Sequence, residues 1–268
     1  MKLGITVPQF SSDAARAVAA AERAEAAGID GVFCFDHLWP MGRPGQPALH
    51  GMTLLSALAA RTTRVDVGML VARIGVVPDL VLLRMFETIH HLASGRLIAG
   101  MGVGDHKSSD EDAAAGVRRE TPARRFERAA ALADQLRPRG ITTWIAGRSA
   151  TALATASAHA DAVNFWGSPF DEVAALGESA APAVVTWGQQ VLVGLNKPDL
   201  ADRLAAHGGL RDGLLAGTVE QVGEHLVRMR DAGVVYAVCA PLDAAAPDVA
   251  ERIGAVAEYA RGSAKARQ

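Results

Sequence analysis

The clearest indication of the fold comes from LASGRLIAGMGVGDH, which spans residues 92–106. A helix that begins at Pro78 ends at Gly95, because proline suits the first turn of a helix and glycine its C-terminal stop. An uninterrupted apolar run, Leu97–Met101, follows, and glycines end it. A continuous rather than alternating run is typical of a strand covered on both faces of a parallel sheet. The stretch therefore predicts a helix–strand–loop unit of an α/β protein.

The same alternation of short apolar strands and longer helical patterns runs along the whole chain. Eight such units in 268 residues, about 33 residues each, match the size and rhythm of a (β/α)8 TIM barrel. We predict one barrel domain over residues 1–268. A doubly wound open sheet is the main alternative, because periodicity does not give strand order. The predicted strands are Lys2–Val7, Gly31–Phe35, Val65–Val71, Leu97–Met101, Thr142–Ile145, Ala162–Phe165, Gln190–Leu195 and Val235–Ala240.

Composition excludes several classes of protein. Half of the residues are hydrophobic and the formal net charge is −2, which argues against disorder and against nucleic-acid binding. No apolar run reaches the ~18 residues that span a bilayer, and the N-terminus does not resemble a signal peptide. Cys34 and Cys239 are far apart in apolar runs, which favours a reducing compartment. We expect a cytoplasmic protein, and the excess of Arg over Lys favours an actinobacterial source.

In a barrel of this kind, catalytic residues lie where the strands end and the following loops begin. The second predicted strand ends in Asp36-His37-Leu38-Trp39. An acid, an imidazole and an indole so close together offer a hydrogen-bond acceptor, a proton donor near neutral pH and a flat stacking surface. A loop-capping Asp and a His bonded to backbone are the structural alternative. We predict that Asp36 and His37 belong to the site, with Trp39 as a substrate contact.

The glycines after the fourth predicted strand have two interpretations. Gly100-Met101-Gly102-Val103-Gly104 invites comparison with a dinucleotide-binding loop, but that loop needs a helix starting within the glycines. The polar stretch Asp105–Glu120 follows instead, and we predict that it begins as a loop. We expect the glycines to let a flat ring approach the backbone. An ordinary glycine-rich turn of the barrel is the alternative.

The fifth predicted strand ends in Ile145-Ala146-Gly147-Arg148-Ser149 before an Ala-rich helix. A glycine turn, a cation and a serine N-cap at a helix N-terminus suit a phosphate or carboxylate group. Ordinary capping of the helix explains the same residues equally well. The sequence thus offers an anion site without deciding for it.

The eight histidines raise a metal-dependent hydrolase as a further alternative. Asp36, His37, Asp105 and His106 lie near strand ends, and His90 and His91 are adjacent in a helical pattern. No pair of histidines has the spacing of helical metal ligands, however, because neither His-x-His nor His-x-x-x-His occurs. A G-x-S-x-G nucleophile motif is also missing from the sequence. We predict no metal site.

At these strand ends the chain resembles the bacterial luciferase-like monooxygenase family and, within it, the deazaflavin-dependent (coenzyme F-420) oxidoreductases of actinobacteria. Asp36-His37-Leu38 is similar to the family motif after the second strand, and Leu92–Leu97 with the glycines after it is similar to its most extended signature. The other similar segments are Lys2–Pro8, residues 20–31, Pro78, Ile145-Ala146-Gly147, Ala160–Asn164 and Gly217–Val222.

The resemblance implies a (β/α)8 barrel with a flavin or deazaflavin at its C-terminal mouth. Asp36 is expected to contact the ring, and His37 to face the site of substrate or proton transfer. Asp105 matches a catalytic Glu of the sugar-phosphate dehydrogenase branch. The remaining implied contacts are Leu70 and Val71 behind the ring, often through a cis peptide, Val103 and Gly104 at its edge, and Ala146, Gly147, Arg148 and Ser149 at the phosphate-bearing tail.

The function expected from these observations is hydride transfer between the deazaflavin coenzyme and a small organic substrate. His37 is the first proton donor to consider and Asp105 the second. FMN-dependent monooxygenation is the main alternative, and a flavin-binding relative without turnover is another, since His90 replaces a common Asp and the segment between Asp161 and Gln189 is short. We also expect a homodimer that binds neither nucleic acid nor membrane.

Overall fold

A computed structural model describes residues 1–265, with the side chains of all of these except 106, 264 and 265. Its strands run in parallel and close into a barrel, because the last strand pairs with the first. The strands are β1 (Lys2–Thr6), β2 (Gly31–Cys34), β3 (Asp66–Met69), β4 (Ala72–Arg73), β5 (Leu97–Gly102), β6 (Thr142–Ala146), β7 (Ala162–Trp166), β8 (Val184–Gly194), β9 (Leu214–Thr218) and β10 (Val234–Pro241).

Helices follow the strands and cover the outside of the barrel. The helices are α1 (Ala14–Ala26), α2 (Gly51–Arg61), α3 (Asp79–Leu92), α4 (Ser109–Ala114), α5 (Pro122–Leu136), α6 (Ala150–His159), α7 (Phe170–Gly177), α8 (Lys197–Ala206), α9 (Val219–Asp231) and α10 (Val249–Lys265). Local chemistry fixes several of their starts. Thr218 and Gln221 form a capping box at α9, for example, and Ser149 accepts from the Ala152 N–H at α6.

The closed barrel confirms the predicted (β/α)8 architecture, and the alternative of an open doubly wound sheet is wrong. β10 pairs with β1 on one side and with β8 on the other. β9 therefore lies outside the barrel, where it pairs with the C-terminal part of β8. The predicted strand Gln190–Leu195 is the end of this longer β8, whose first half completes the barrel wall.

Several short elements escaped the sequence prediction, α4, α8 and β9 among them. α4 has six residues, SDEDAA, which is too short for a helical apolar period. α8 has no fully buried residue, and its apolar face is short, with Leu200 and Leu204 half-buried, although Asn196 caps its N-terminus. β9 lies against β8 rather than in the barrel, and the sequence of its last residue, Thr218, also begins a helix.

Aromatic side chains fill the lower part of the barrel interior. Phe33, Trp144 and Tyr236 are buried and pack with ring centroids 5.2–5.7 Å apart. Glycines make room for them, since a Cβ at Gly68 would lie 2.2 Å from the Phe33 ring. In a barrel of this kind the loops that follow the strands form the C-terminal mouth, where active sites lie.

The two cysteines are buried free thiols in the core. Burial raises the pKa of both thiols, that of Cys239 to about 12, so neither is an activated nucleophile. Over residues 1–265, no helix has the length and apolar character to cross a membrane.

Candidate active site at the barrel mouth

The β3–β4 connection forms one wall of the mouth. The Leu70–Val71 peptide bond is cis, as the resemblance implied. Leu70 is buried and Val71 half-buried, and both contact the apolar cluster inside the barrel. This wall lies so close to β5 that a Cβ at Gly100 would lie 2.1 Å from the Met69 carbonyl oxygen, and one at Gly102 2.5 Å from the Val71 side chain.

These close approaches change the interpretation of the glycines after β5. We expected them to admit a flat ring against the backbone. The space that their missing side chains leave is instead taken by the neighbouring β3–β4 connection, so Gly100 and Gly102 are required by the packing of two adjacent strands. Beyond them, Gly104 has φ 67° and lies half-buried beside Arg73 and Arg125.

Asp36 lies at the end of β2, facing Arg73 at the end of β4. Its Oδ2 accepts a hydrogen bond of 2.8 Å from the Arg73 backbone N–H, and the Arg73 guanidinium donates to the Asp36 carbonyl at 2.7 Å. Burial raises the pKa of the Asp36 carboxyl group, although the Arg73 N–H and the Arg73 charge act in the opposite direction. These hydrogen bonds fix the carboxyl group against the backbone of Arg73.

His37 is held by a carboxylate that the sequence analysis did not select. Its Nδ1 lies 3.0 and 3.1 Å from the two carboxylate oxygens of Glu111 on α4. The Glu111 side chain is buried, whereas that of His37 is partly exposed. A carboxylate on Nδ1 fixes the tautomer and orientation of the imidazole, so that Nε2 is the nitrogen available for proton transfer. Adjacent acids in SDEDAA were the only sequence signal for Glu111.

A buried network of charges anchors α4 over this side of the mouth. The Arg73 guanidinium forms an ion pair with Glu111 Oε2 at 2.8 Å and donates to Asp112 Oδ1 at 3.2 Å. Arg125 of α5 lies 3.5 Å from the other Asp112 oxygen and donates to the Val103 carbonyl at 2.6 Å. Buried charges persist only when they are paired and hydrogen-bonded, as these four are. The network holds Glu111 against His37.

Asp105 is placed differently from His37. It is exposed, and its Oδ1 accepts from the Lys107 backbone N–H at 2.9 Å and from the Ser108 hydroxyl at 3.4 Å. This is the geometry of an aspartate that caps the turn after it. The carboxylate found against His37 is that of Glu111. Trp39, the predicted substrate contact, is half-buried in the loop after His37.

The proposed tail site lies at the N-terminus of α6. Gly147 has φ 142°, and its N–H donates to the Asn164 carbonyl at 3.1 Å. Ser149 caps the helix, and the half-buried Ala146 ends β6 at the mouth. Arg148 is 62% exposed, and its guanidinium lies 3.1 Å from Glu172 on α7. A bound anion would compete with Glu172 for this cation.

Three rings missed by the sequence analysis lie at the same mouth. Phe35 follows β2, and its ring centroid is 5.9 Å from that of Phe10 and 5.6 Å from that of Trp166. Phe35 also lies 6.3 Å from the His37 imidazole. These rings are 25 or more residues apart in sequence, so no local pattern indicates that they meet.

The histidines do not form a metal centre in the described part of the chain. Among the side chains that the structure describes, no group of three or more His, Cys, Asp or Glu could hold a metal ion. His90 and His91 stack edge to face on α3 with centroids 5.9 Å apart, and burial together with the His91 charge lowers the pKa of His90. The His106 side chain, also part of that hypothesis, lies outside the described residues.

Two comparisons with solved structures agree on this fold. An F-420-dependent secondary alcohol dehydrogenase in complex with an F-420–acetone adduct has a TM-score of 0.78 and 14% identity, covering 97% of this chain and 99% of that one. A riboflavin lyase with modified FMN and riboflavin has a TM-score of 0.76 and 13% identity, covering 98% and 92%. Structural similarity at such low sequence identity supports a shared fold and nothing more.

Sequence comparison goes further. An F-420-dependent glucose-6-phosphate dehydrogenase of Microbacterium testaceum (strain StLB037) is 37% identical over 84 residues, which are 31% of this chain and 25% of the relative's own length. The sequence model of the luciferase-like monooxygenase family matches residues 1–139, which are half of the chain. This part contains His37, Arg73 and Glu111. The chain is therefore a member of the luciferase-like monooxygenase family.

Proposed function

We propose that this protein is an oxidoreductase that transfers a hydride between the deazaflavin coenzyme F-420 and a small organic substrate. One observation carries the proposal: the His37 imidazole, oriented by the buried Glu111 carboxylate, follows Asp36 at the C-terminal end of β2, and Asp36 bonds to Arg73 at the end of β4. The glucose-6-phosphate dehydrogenase named above supports the choice of coenzyme.

The residues at the mouth fit a flat ring with an anionic tail. The wall at Leu70 and Val71 is apolar, and Val103 and Gly104, which follow β5, are half-buried. Asn164 is 1% exposed, and its Oδ1 has no hydrogen-bond partner within the described residues, so a polar acceptor remains available inside the barrel. We assign Asp36, Leu70, Val71, Val103 and Gly104 to the ring.

The anionic tail is assigned to the start of α6. The first N–H groups of a helix have no partner within it, and they attract anions. We therefore assign Ala146, Gly147, Arg148 and Ser149 to the tail. Exchange of Glu172 for a phosphate oxygen pair would keep the Arg148 guanidinium in a charged hydrogen bond.

A reduced deazaflavin, when bound, supplies the hydride. This chain supplies orientation and a proton. His37 gives the proton from Nε2 to the substrate atom that becomes negative, while Glu111 on Nδ1 stabilises the ring in the required orientation. The barrel wall excludes water from the reacting atoms. Asp105 is the alternative proton donor if His37 does not supply the proton, and Trp39 is the substrate contact in this proposal.

The second candidate function is FMN-dependent monooxygenation. The name of the family and the modified FMN in the riboflavin lyase favour it. Both cofactors present a flat tricyclic ring and a phosphate-bearing tail, so the residues above serve either one. A flavin-binding relative without turnover is the non-enzymatic alternative.

Separate titrations of the purified protein with coenzyme F-420 and with FMN, followed by fluorescence, test the proposal. We expect micromolar or tighter binding of the deazaflavin and weaker binding of FMN. Tight FMN binding without deazaflavin binding would replace the first candidate by the second. Binding without turnover across a panel of small carbonyl compounds would favour the non-enzymatic relative.

Assembly and location are part of the same proposal. Val81 and Leu92 are exposed apolar residues three turns apart on α3, and they suit contact with a second copy of the chain. We propose a homodimer, which light scattering would test by mass. The free thiols Cys34 and Cys239 support a cytoplasmic location.

A further inference from the structure

Phe10, Phe35 and Trp166 form a continuous aromatic surface at the barrel mouth, which we call the aromatic wall. Phe10 and Phe35 stack with their planes 7° apart. Trp166 meets Phe35 edge to face, at an interplanar angle of 89°. Both arrangements are favourable for aromatic pairs, because they match the negative face of a ring with a positive edge or an offset neighbour. The wall is thus fixed by its own contacts.

Trp166 packs on a neighbouring strand at the mouth, yet much of its surface remains exposed. Its ring lies over β8, where a Cβ at Gly188 would come within 2.5 Å of a ring atom. Of its side chain and backbone together, 41% remains exposed, as does 39% of Phe10. Trp144 and Trp187, by contrast, are buried. Neighbouring aromatic surfaces that stay this exposed are typical of ligand contact rather than of core packing.

The wall lies next to the proton donor. Phe35, its central ring, is 6.3 Å from the His37 imidazole, and Phe35 also contacts the apolar cluster that includes Leu70. A planar molecule resting on the wall therefore brings a polar substituent to His37. The described side chains that form the aromatic wall carry no charge, so the wall makes no ion pair with a sugar phosphate or another anionic substrate.

We propose that the substrate of this enzyme is an aromatic carbonyl compound whose ring rests on the aromatic wall and whose oxygen points to His37. The inference rests on the proposed function. The carbonyl carbon takes up the hydride, the π electron pair moves to the oxygen, and that oxygen takes the proton from His37. The ketone is reduced to an alcohol while the deazaflavin coenzyme is oxidised.

Binding of two matched ketones tests the proposal without turnover. Acetophenone and cyclohexyl methyl ketone have nearly the same size, but only the first has a planar aromatic ring. We expect ligand-observed NMR titration to show about two- to tenfold tighter binding of acetophenone. Trp166→Ala should remove this preference, whereas Trp166→Phe should retain it. Leu80→Ala, which shortens an exposed apolar residue on α3, is the matched control and should change nothing.

Equal binding of the two ketones, or a preference that survives Trp166→Ala, would overturn the inference. Titration of the same variants with coenzyme F-420 separates this result from the proposed function. If the coenzyme binds but the preference for the aromatic ketone is missing, the proposed reaction is retained and the proposed substrate class is wrong. If the preference depends on Trp166 but no coenzyme binds, the aromatic wall is retained as a binding site for aromatic compounds and the proposed hydride transfer is wrong.

Discussion

Two arginines at the mouth of this barrel have opposite surroundings. Arg73 is 5% exposed in its side chain and bonds to Asp36, Glu111 and Asp112, whereas Arg148 is 62% exposed and, among the described side chains, pairs with Glu172. A buried cation with several fixed partners determines where its neighbours lie. An exposed cation with one partner is screened by water and can exchange that partner for a ligand. We infer that Arg73 maintains the geometry of the site and that Arg148 contributes to affinity.

The largest expected effect belongs to the residue that the Arg73 network orients. His37→Ala should lower turnover by about 10²–10⁴-fold, because a positioned acid contributes that much to rate. Coenzyme affinity should remain close to that of the wild type. Steady-state kinetics and a coenzyme titration measure the two. Glu111→Gln should also lower turnover, since the amide holds the imidazole less firmly. Wild-type turnover in His37→Ala would remove His37 from the mechanism.

Removal of Arg73 tests the structural half of the comparison. Arg73→Met leaves Glu111 and Asp112 buried without their main cation, and breaking a buried pair in this way costs about 3–5 kcal/mol. The free energy of unfolding, measured with urea, should fall by that amount. Arg84→Met is the matched control: its guanidinium bonds to Glu87 on the exposed surface, so stability should hardly change. Equal effects of the two substitutions would contradict our view of the network.

Arg148 should affect binding rather than stability. A charged hydrogen bond is worth roughly 1.5–3 kcal/mol, so Arg148→Ala should weaken coenzyme binding about ten- to a hundredfold. Glu172→Gln should act in the opposite direction, because it removes both a competing partner and a negative charge near the tail. Calorimetric titrations at low and high salt measure both variants. If neither variant changes the affinity, the tail binds elsewhere.

Asp36 gives a pH-dependent prediction. Because burial raises its pKa above the usual 3.8, the folded protein holds this proton to higher pH than the unfolded chain does. The folded state then binds more protons between the two pKa values, and stability falls as the pH rises through that window. Asp36→Asn cannot ionise and should lack this decline. Urea unfolding of both proteins from about pH 4 to about pH 8 should show that the stability of the variant increases relative to that of the wild type as the pH rises. A constant difference would contradict the assignment.

The smallest effect is expected at Asp105. An asparagine can accept the same hydrogen bonds from the Lys107 N–H and the Ser108 hydroxyl, and the site is exposed. Asp105→Asn should therefore leave turnover and stability close to wild type. A loss of turnover as large as that of His37→Ala would instead make Asp105 the proton donor.

The sequence was sufficient where local chemistry repeats itself. Continuous apolar strands, helix stops such as Gly95 and the spacing of eight units predicted a barrel, and the strand-end rule selected Asp36 and His37 from among all titratable residues. These signals are local: each depends on residues within one turn or one strand. The same kind of signal selected Arg148 and Ser149 at the start of α6.

The tertiary structure decided which groups meet. Glu111 lies 74 residues from His37, and Arg73 joins them from a third segment, so nothing in the spacing of the chain indicates the contact. The aromatic wall likewise unites three strand ends, and Gly188 matters only because Trp166 lies over it. When the barrel closes, distant strand ends come together at one mouth. The acidic side chains of the short helix α4 are buried there and pair with Arg73 and Arg125. The sequence alone determined the barrel and the edge at which we propose its chemistry, whereas pairing, burial and ring contacts depended on the closed fold.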